Sequence, residues 1–164
     1  MREAIALPEE ITTLAYAAGL FDGEGSVAIT YSKRTGSEQR YHRLQISVTN
    51  TDPRVLVWLR DRFGGCITNV RLGANTRQRP SARWQTSLRR AEAFLRAVRP
   101  YLVIKGEQAD VAVALRATIR PHAGNVFGRH GVAKDGVTDD LRARRESLRQ
   151  ALHVLNRRGV SAVS

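Results

Sequence analysis

Leu14-Ala15-Tyr16-Ala17-Ala18-Gly19-Leu20-Phe21-Asp22-Gly23-Glu24-Gly25-Ser26 decides how the rest of this chain is read. Just upstream, Pro8-Glu9-Glu10 is a helix start, with proline at its edge and acids in the first turn. The spacing predicts a helix over 9–21, stopped by Gly23 and Gly25. Ala15, Ala18 and Gly19 fall at i, i+3 and i+4, a stripe of small residues that another backbone can approach closely. That other backbone can belong to the same chain or to a second copy. Glu24 follows the helix between two glycines, so its carboxylate can approach a metal and a phosphate without steric conflict. It is a hard oxygen ligand suited to Mg²⁺. Taken alone, the same residues also describe an ordinary acidic turn between a helix and a strand.

Beyond the turn the period changes to two. In the stretch 27–34, Val27, Ile29 and Tyr31 alternate with small or polar residues. A loop over 35–40 precedes a second strand over 41–49, with Leu44, Ile46 and Val48 directed inward. Its other face carries Arg43, Gln45 and Ser47, and the first strand adds Thr30, Ser32 and Arg34. Such side chains read base edges, although plain solvation would also suit a polar face. Asp52-Pro53 caps a helix whose stripe is Val55, Leu56, Leu59 and Phe63, ended by Gly64-Gly65. A third strand is expected over 66–72 and a fourth over 82–88, with a loop over 73–81 between them. Here Arg71, Arg77, Arg79, Arg83 and Gln85 are the candidate readers, with the register of the third strand left open. Helices follow over 90–98 and 105–119, then a glycine-rich loop over 121–136. Thr138-Asp139-Asp140 caps a last helix to about Arg158.

The order is α-β-β-α-β-β-α with C-terminal helices added. With AAGLFDGEGS at the end of its first helix, the chain resembles the LAGLIDADG homing endonucleases over roughly residues 10–120. The resemblance implies an α+β fold with a four-stranded antiparallel saddle that binds DNA. It implies one domain over 1–164, with a core of about 8–120 and a helical extension of about 121–164. It places Glu24 at the family's catalytic acid, with the Gly23 carbonyl as a second metal ligand. The implied cofactor is Mg²⁺, with Ca²⁺ or Mn²⁺ able to occupy the same site. Asn50, at the end of the second strand, matches the polar residue near the attacking water. Arg54 matches the basic residue beside the scissile phosphate, and Lys105 the active-site lysine. One copy of the motif implies a homodimer joined through Ala15, Ala18 and Gly19, and a near-palindromic double-stranded DNA target cut on both strands. A relative acting as an intron RNA maturase or a DNA-binding regulator is the competing reading.

Composition agrees with a nucleic-acid partner. The 164 residues carry a net charge of +12, and the pI is near 11.2. Lys occurs only at 33, 105 and 134, so Arg supplies the other 24 of 27 cations. Arg forks onto phosphate and guanine in a way Lys does not. Aromatic residues are only 6%, too few for the stacking platforms of single-strand binders. The lone Cys66 excludes a disulfide framework and a cysteine zinc site. No apolar run is long enough to span a membrane, and no signal peptide is expected at the N-terminus. An intracellular protein at DNA, with neither a membrane nor a small-molecule substrate, is the expectation.

Overall fold

The structure is a computed structural model that describes residues 9–33, 40–71, 79–119 and 138–157. Its elements run α1 (Glu9–Glu24), β1 (Gly25–Lys33), β2 (Arg40–Asn50), α2 (Pro53–Phe63), β3 (Cys66–Asn69) and β4 (Ala82–Ser87). α3 (Leu88–Val98), a short 3₁₀ turn over Arg99–Tyr101, α4 (Gly106–Thr118) and α5 (Asp139–Arg157) complete them. The predicted α-β-β-α-β-β-α order is present. The strands form one antiparallel sheet in the order β1-β2-β4-β3.

The period of two sorts the sheet into two faces. Val27, Ile29, Leu44, Ile46, Val48 and Trp84 are buried on one of them. α1 to α4 cover that face, and Phe21, Leu56, Leu59, Phe94, Leu95 and Leu115 fill the space between. Phe94 sits at the centre, with the rings of Phe21, Phe63 and Trp84 at centroid distances of 5.3, 5.0 and 5.3 Å. The edge-on contacts suit the quadrupoles of aromatic rings. Trp84 satisfies its one polar atom by donating Nε1–H to the Gly64 carbonyl at 2.7 Å.

The largest departures from the expected boundaries are at α1 and β3. α1 does not stop at Phe21 but runs through Asp22 and Gly23 to Glu24. A helical glycine costs only about 1 kcal/mol, and burial of Phe21 and Asp22 holds the extra turn in place. The break comes at Gly25. A Cβ there would lie 2.3 Å from the Phe21 carbonyl oxygen and 2.4 Å from the Phe21 ring, so only glycine lets β1 leave α1 at that angle. β3 is shorter than expected and ends at Asn69. Val70 makes one further bond, donating its N–H to the Ser81 carbonyl at 2.9 Å.

α5 belongs to the body of the protein. Leu152 is buried in the common core. The buried Arg145 donates to the Thr118 hydroxyl at 3.1 Å and carbonyl at 2.7 Å, closing the C-terminal end of α4. Asn156 donates to the Val27 carbonyl at 3.0 Å, along the outer edge of β1. Covering an open strand edge removes a template for unwanted pairing. No helix among the described residues is long and apolar enough to cross a membrane.

Candidate nucleic-acid interface and active site

The register assembles the polar face. Thr30 stands opposite Arg43, Gln45 opposite Ser87, Ser47 opposite Gln85, and Thr49 opposite Arg83. β3 then adds Cys66 beside Gln85 and Thr68 beside Arg83. The predicted readers Thr30, Arg43, Gln45, Ser47, Arg83 and Gln85 therefore share one surface. Thr49, Cys66, Thr68 and Ser87 belong to it as well. Thr49 is one step further along the alternation of β2, whereas Cys66 and Thr68 needed the pairing itself. Arg71 lies past the end of β3, exposed, and Arg79 is exposed just ahead of β4. Arg34 and Arg77 lie outside the described residues, and so does the side chain of Ser32.

These side chains are bonded to one another across the sheet. Arg43 donates to the Ser87 hydroxyl at 2.8 Å, and Arg83 to the Thr49 hydroxyl at 3.2 Å. The Gln45 amide donates to the Gln85 carbonyl oxygen at 3.0 Å, and Gln85 donates onward to the Cys66 sulfur at 3.7 Å. The surface is thus rich in donors and acceptors, held in place before any ligand arrives. A base edge in a major groove presents the complementary pattern.

At one end of this face stands the glycine-spaced turn. Glu24 precedes the Gly25–Val48 pair, and Asn50 follows Val48 by two residues, so both come to the same end of the sheet. Glu24 is exposed, with no partner among the described residues. The Gly23 carbonyl belongs to the last turn of α1, where carbonyls have no helical partner. Both groups are hard oxygen donors, the chemistry a Mg²⁺ or Ca²⁺ ion takes. Among the described residues no three His, Cys, Asp or Glu side chains gather into a ready-made cage. The donor set fits a hydrated divalent ion that draws its other ligands from outside this chain.

Lys105 is brought to the same place by Asp22. The Asp22 carboxylate is buried and accepts backbone N–H bonds from Val103 at 2.7 Å, Ile104 at 3.2 Å and Lys105 at 2.9 Å. In return the Lys105 ammonium donates to the Asp22 carbonyl. The lysine therefore rests against the last turn of α1, one residue from Gly23 and two from Glu24. Positive charge there also suits the negative end of the helix. The sequence marks Asp22 only as part of the motif. Its partners lie 81 to 83 residues away, and no local pattern announces them.

Asn50 and Arg54 come with bonds of their own. The Asn50 side-chain oxygen accepts the Asp52 N–H at 2.8 Å, which leaves its amide hydrogens as the available donors. Asp52 caps α2 by accepting the Arg54 N–H at 2.9 Å. It also holds the Arg54 guanidinium, at 2.5 Å from Nη2 and 3.0 Å from Nε. That bond pulls the Asp52 carboxyl down to about 2 and pushes the Arg54 guanidinium up. Arg54 is highly exposed, so a competing phosphate has free access to it. Of the small-residue stripe, Ala15 and Gly19 are exposed, but Ala18 is fully covered by the protomer's own core. The open face of α1 instead continues through Tyr16 and Gly23.

No protein-family model and no curated protein sequence matches this chain. Solved structures do. The homing endonuclease I-CvuI, in complex with its target in the presence of calcium, is similar with a TM-score of 0.68 at 14% identity. The match covers 94% of this chain and 88% of that one. The archaeal intron-encoded homing endonuclease I-Vdi141I, complexed with DNA, gives 0.67 at 17% identity, over 95% of this chain and 91% of that one. The LAGLIDADG homing endonuclease I-SmaMI, bound to cleaved DNA, gives 0.62 at 13% identity, over 92% of this chain and 47% of that one. With its sheet order, its glycine-spaced acid at the end of α1 and these likenesses together, the chain has the LAGLIDADG homing endonuclease fold.

Proposed function

We propose that this protein is a site-specific DNA endonuclease that acts as a homodimer on a near-palindromic duplex and cuts both strands with a divalent metal. The observation that carries the reading is Glu24. It is an exposed, unpartnered carboxylate between two glycines, at the end of a polar sheet face and beside a tethered lysine. A structural acid in a turn would be expected to cap a helix or pair with a cation. Glu24 does neither among the described residues.

Each residue then has a task. Glu24 and the Gly23 carbonyl would hold Mg²⁺, which supplies Lewis-acid stabilisation of charge at the phosphodiester. Asn50 offers its amide hydrogens to orient a water. Lys105 and Arg54 offset negative charge on the phosphate, Arg54 after exchanging Asp52 for it. Thr30, Arg43, Gln45, Ser47, Arg83 and Gln85 read base edges, at about 1–3 kcal/mol for each good bidentate contact. Arg71 and Arg79, at the open end of the β3–β4 pair, would contact phosphate or base beside them.

The homodimer is supported by α1. A Cβ added at Gly19 or Gly23 would meet nothing within 4 Å, so the protomer's own packing does not demand their small size. A second α1 crossing at that face would demand it. C2 pairing would bring two Glu24 residues together and require a symmetric target.

The test is selection from a random duplex library with Mg²⁺, sequencing the bound and the cut pools separately, with Glu24→Gln alongside. The expected result is a near-palindromic consensus in both pools, with only the cut pool lost in the variant. Cutting by Glu24→Gln at the wild-type rate would remove the assignment. A bound consensus with no cut pool would leave a DNA-binding regulator.

A further inference from the structure

A cavity borders the polar face and takes in arginines that the site above does not use. It is an open depression of ≈ 970 Å³ at the β3 edge of the sheet, between the start of α3 and the end of α4. Cys66, Gln85 and Ser87 connect it to the polar face, and Arg89, Arg90 and Arg116 supply its charge. No carboxylate and no aromatic ring is among its lining residues. Arg116 is buried and committed to Glu92 at 3.4 Å. Arg89 and Arg90 are exposed and have no partner among the described residues.

Arg71, Arg79, Arg144 and Arg157 are likewise without a partner among the described residues, but none of them lines the depression. Arg54, Arg60, Arg96, Arg99, Arg142 and Arg149 are all bonded to carboxylates. Two adjacent guanidiniums left unneutralised beside a concave surface create a local positive field that favours an anion. The start of α3 adds to it, with no acid in its first turn and no side-chain cap; the Ser87 hydroxyl accepts from Arg43. The lack of an aromatic wall argues against a nucleobase or free nucleotide, since nothing there would stack the base.

We infer that this depression seats a phosphate of the DNA backbone, gripped by Arg89 and Arg90 at the rim of the base-reading face. This rests on the DNA-binding reading proposed above. The seat fixes how far the duplex sits toward the β3 edge and carries no sequence information of its own.

The test is R89Q/R90Q in the full chain. Fluorescence anisotropy would follow binding to the selected duplex and to a scrambled duplex of equal length, across about 50–300 mM salt. The log–log salt slope is expected to fall by about 0.9, the value for one lost phosphate contact, equally on both duplexes. R89K/R90K keeps both charges and is expected to restore most of the slope. An unchanged slope in R89Q/R90Q overturns the inference. So does a loss confined to the selected duplex, which would make these residues base readers, or a Lys variant as weak as the Gln variant. Wild-type protein that binds neither duplex would overturn the DNA-binding reading and the seat together. Wild-type binding with an unchanged variant slope overturns the seat alone.

Discussion

At the scale of single residues, Gly19 inside α1 and Gly25 at the start of β1 do opposite jobs. Gly25 is small because Phe21 is already there. Gly25→Ala is expected to cost about 3 kcal/mol, because the clash is with backbone as well as ring. Urea denaturation checks this, and a variant as stable as wild type would show that β1 can leave α1 by another path. Asp22 shows the same economy. One carboxylate satisfies three backbone N–H groups that would otherwise crowd the start of α4 without acceptors. Hydrogen bonds to a charged acceptor are worth roughly twice neutral ones. The motif's first acid is thus a fastener, while its second, Glu24, is exposed and has no partner among the described residues.

Among elements, α5 is held to the β1–β2 hairpin through one carboxylate. Glu146 accepts from Arg149 at 2.7 and 3.0 Å, from His42 at 3.2 Å, from Gln150 at 3.3 Å and from the Tyr31 hydroxyl. The Arg149 guanidinium also lies 5.1 Å from the Tyr31 ring centre. The bonds from Arg149, then Tyr31, hold the Glu146 carboxyl well below its ordinary 4.5. A depressed carboxyl contributes stability that is complete above its unfolded value and lost as pH falls through the folded one. Glu146→Gln should therefore lower stability at pH 7 and flatten its decline below about pH 4.5. Denaturation midpoints at both ends of that range check it, and parallel pH curves for the two proteins would count against the clasp. Most elements were legible, because Val27/Ile29 and Leu44/Ile46/Val48 carry the period of two and Asp52-Pro53 carries a cap. The end of α1 was not, since its glycines signal a stop that burial of Phe21 overrides. The facing of Cys66 and Thr68 was hidden too, because four residues of β3 hold no clear alternation and only pairing with β4 sets it. For the proposed site, Glu24 is singled out by the motif and Lys105 by the separate segment 100–109. Their juxtaposition depends on Asp22 and its distant loop, and Ala18 looked like surface because a stripe of small residues does not say which side is covered.

For the whole molecule, the proposed function asks a chain of +12 to meet a polyanion without losing register on it. In that proposal the polar sheet face would provide the register and the unpaired arginines the pull. Pairing of two copies is the remaining variable, and Gly19 isolates it. Gly19→Ala should raise the stability of the protomer by up to about 1 kcal/mol, since Ala is the better helix former and its Cβ meets nothing. It should also weaken the dimer tenfold or more. Melting of the dilute protein and sedimentation at rising concentration separate the two effects; an equally tight dimer would place the seam elsewhere. The fastening of Lys105 to α1 has a consequence for anyone redesigning that seam. The lysine does not ride on its own helix alone; through Asp22 it inherits the pose of α1. On the proposed function, an edit that changes how two α1 helices cross is expected to re-aim the ammonium with them, so variants chosen only for tight or asymmetric pairing are expected to drift in turnover, and partner choice and cutting rate would have to be optimised together.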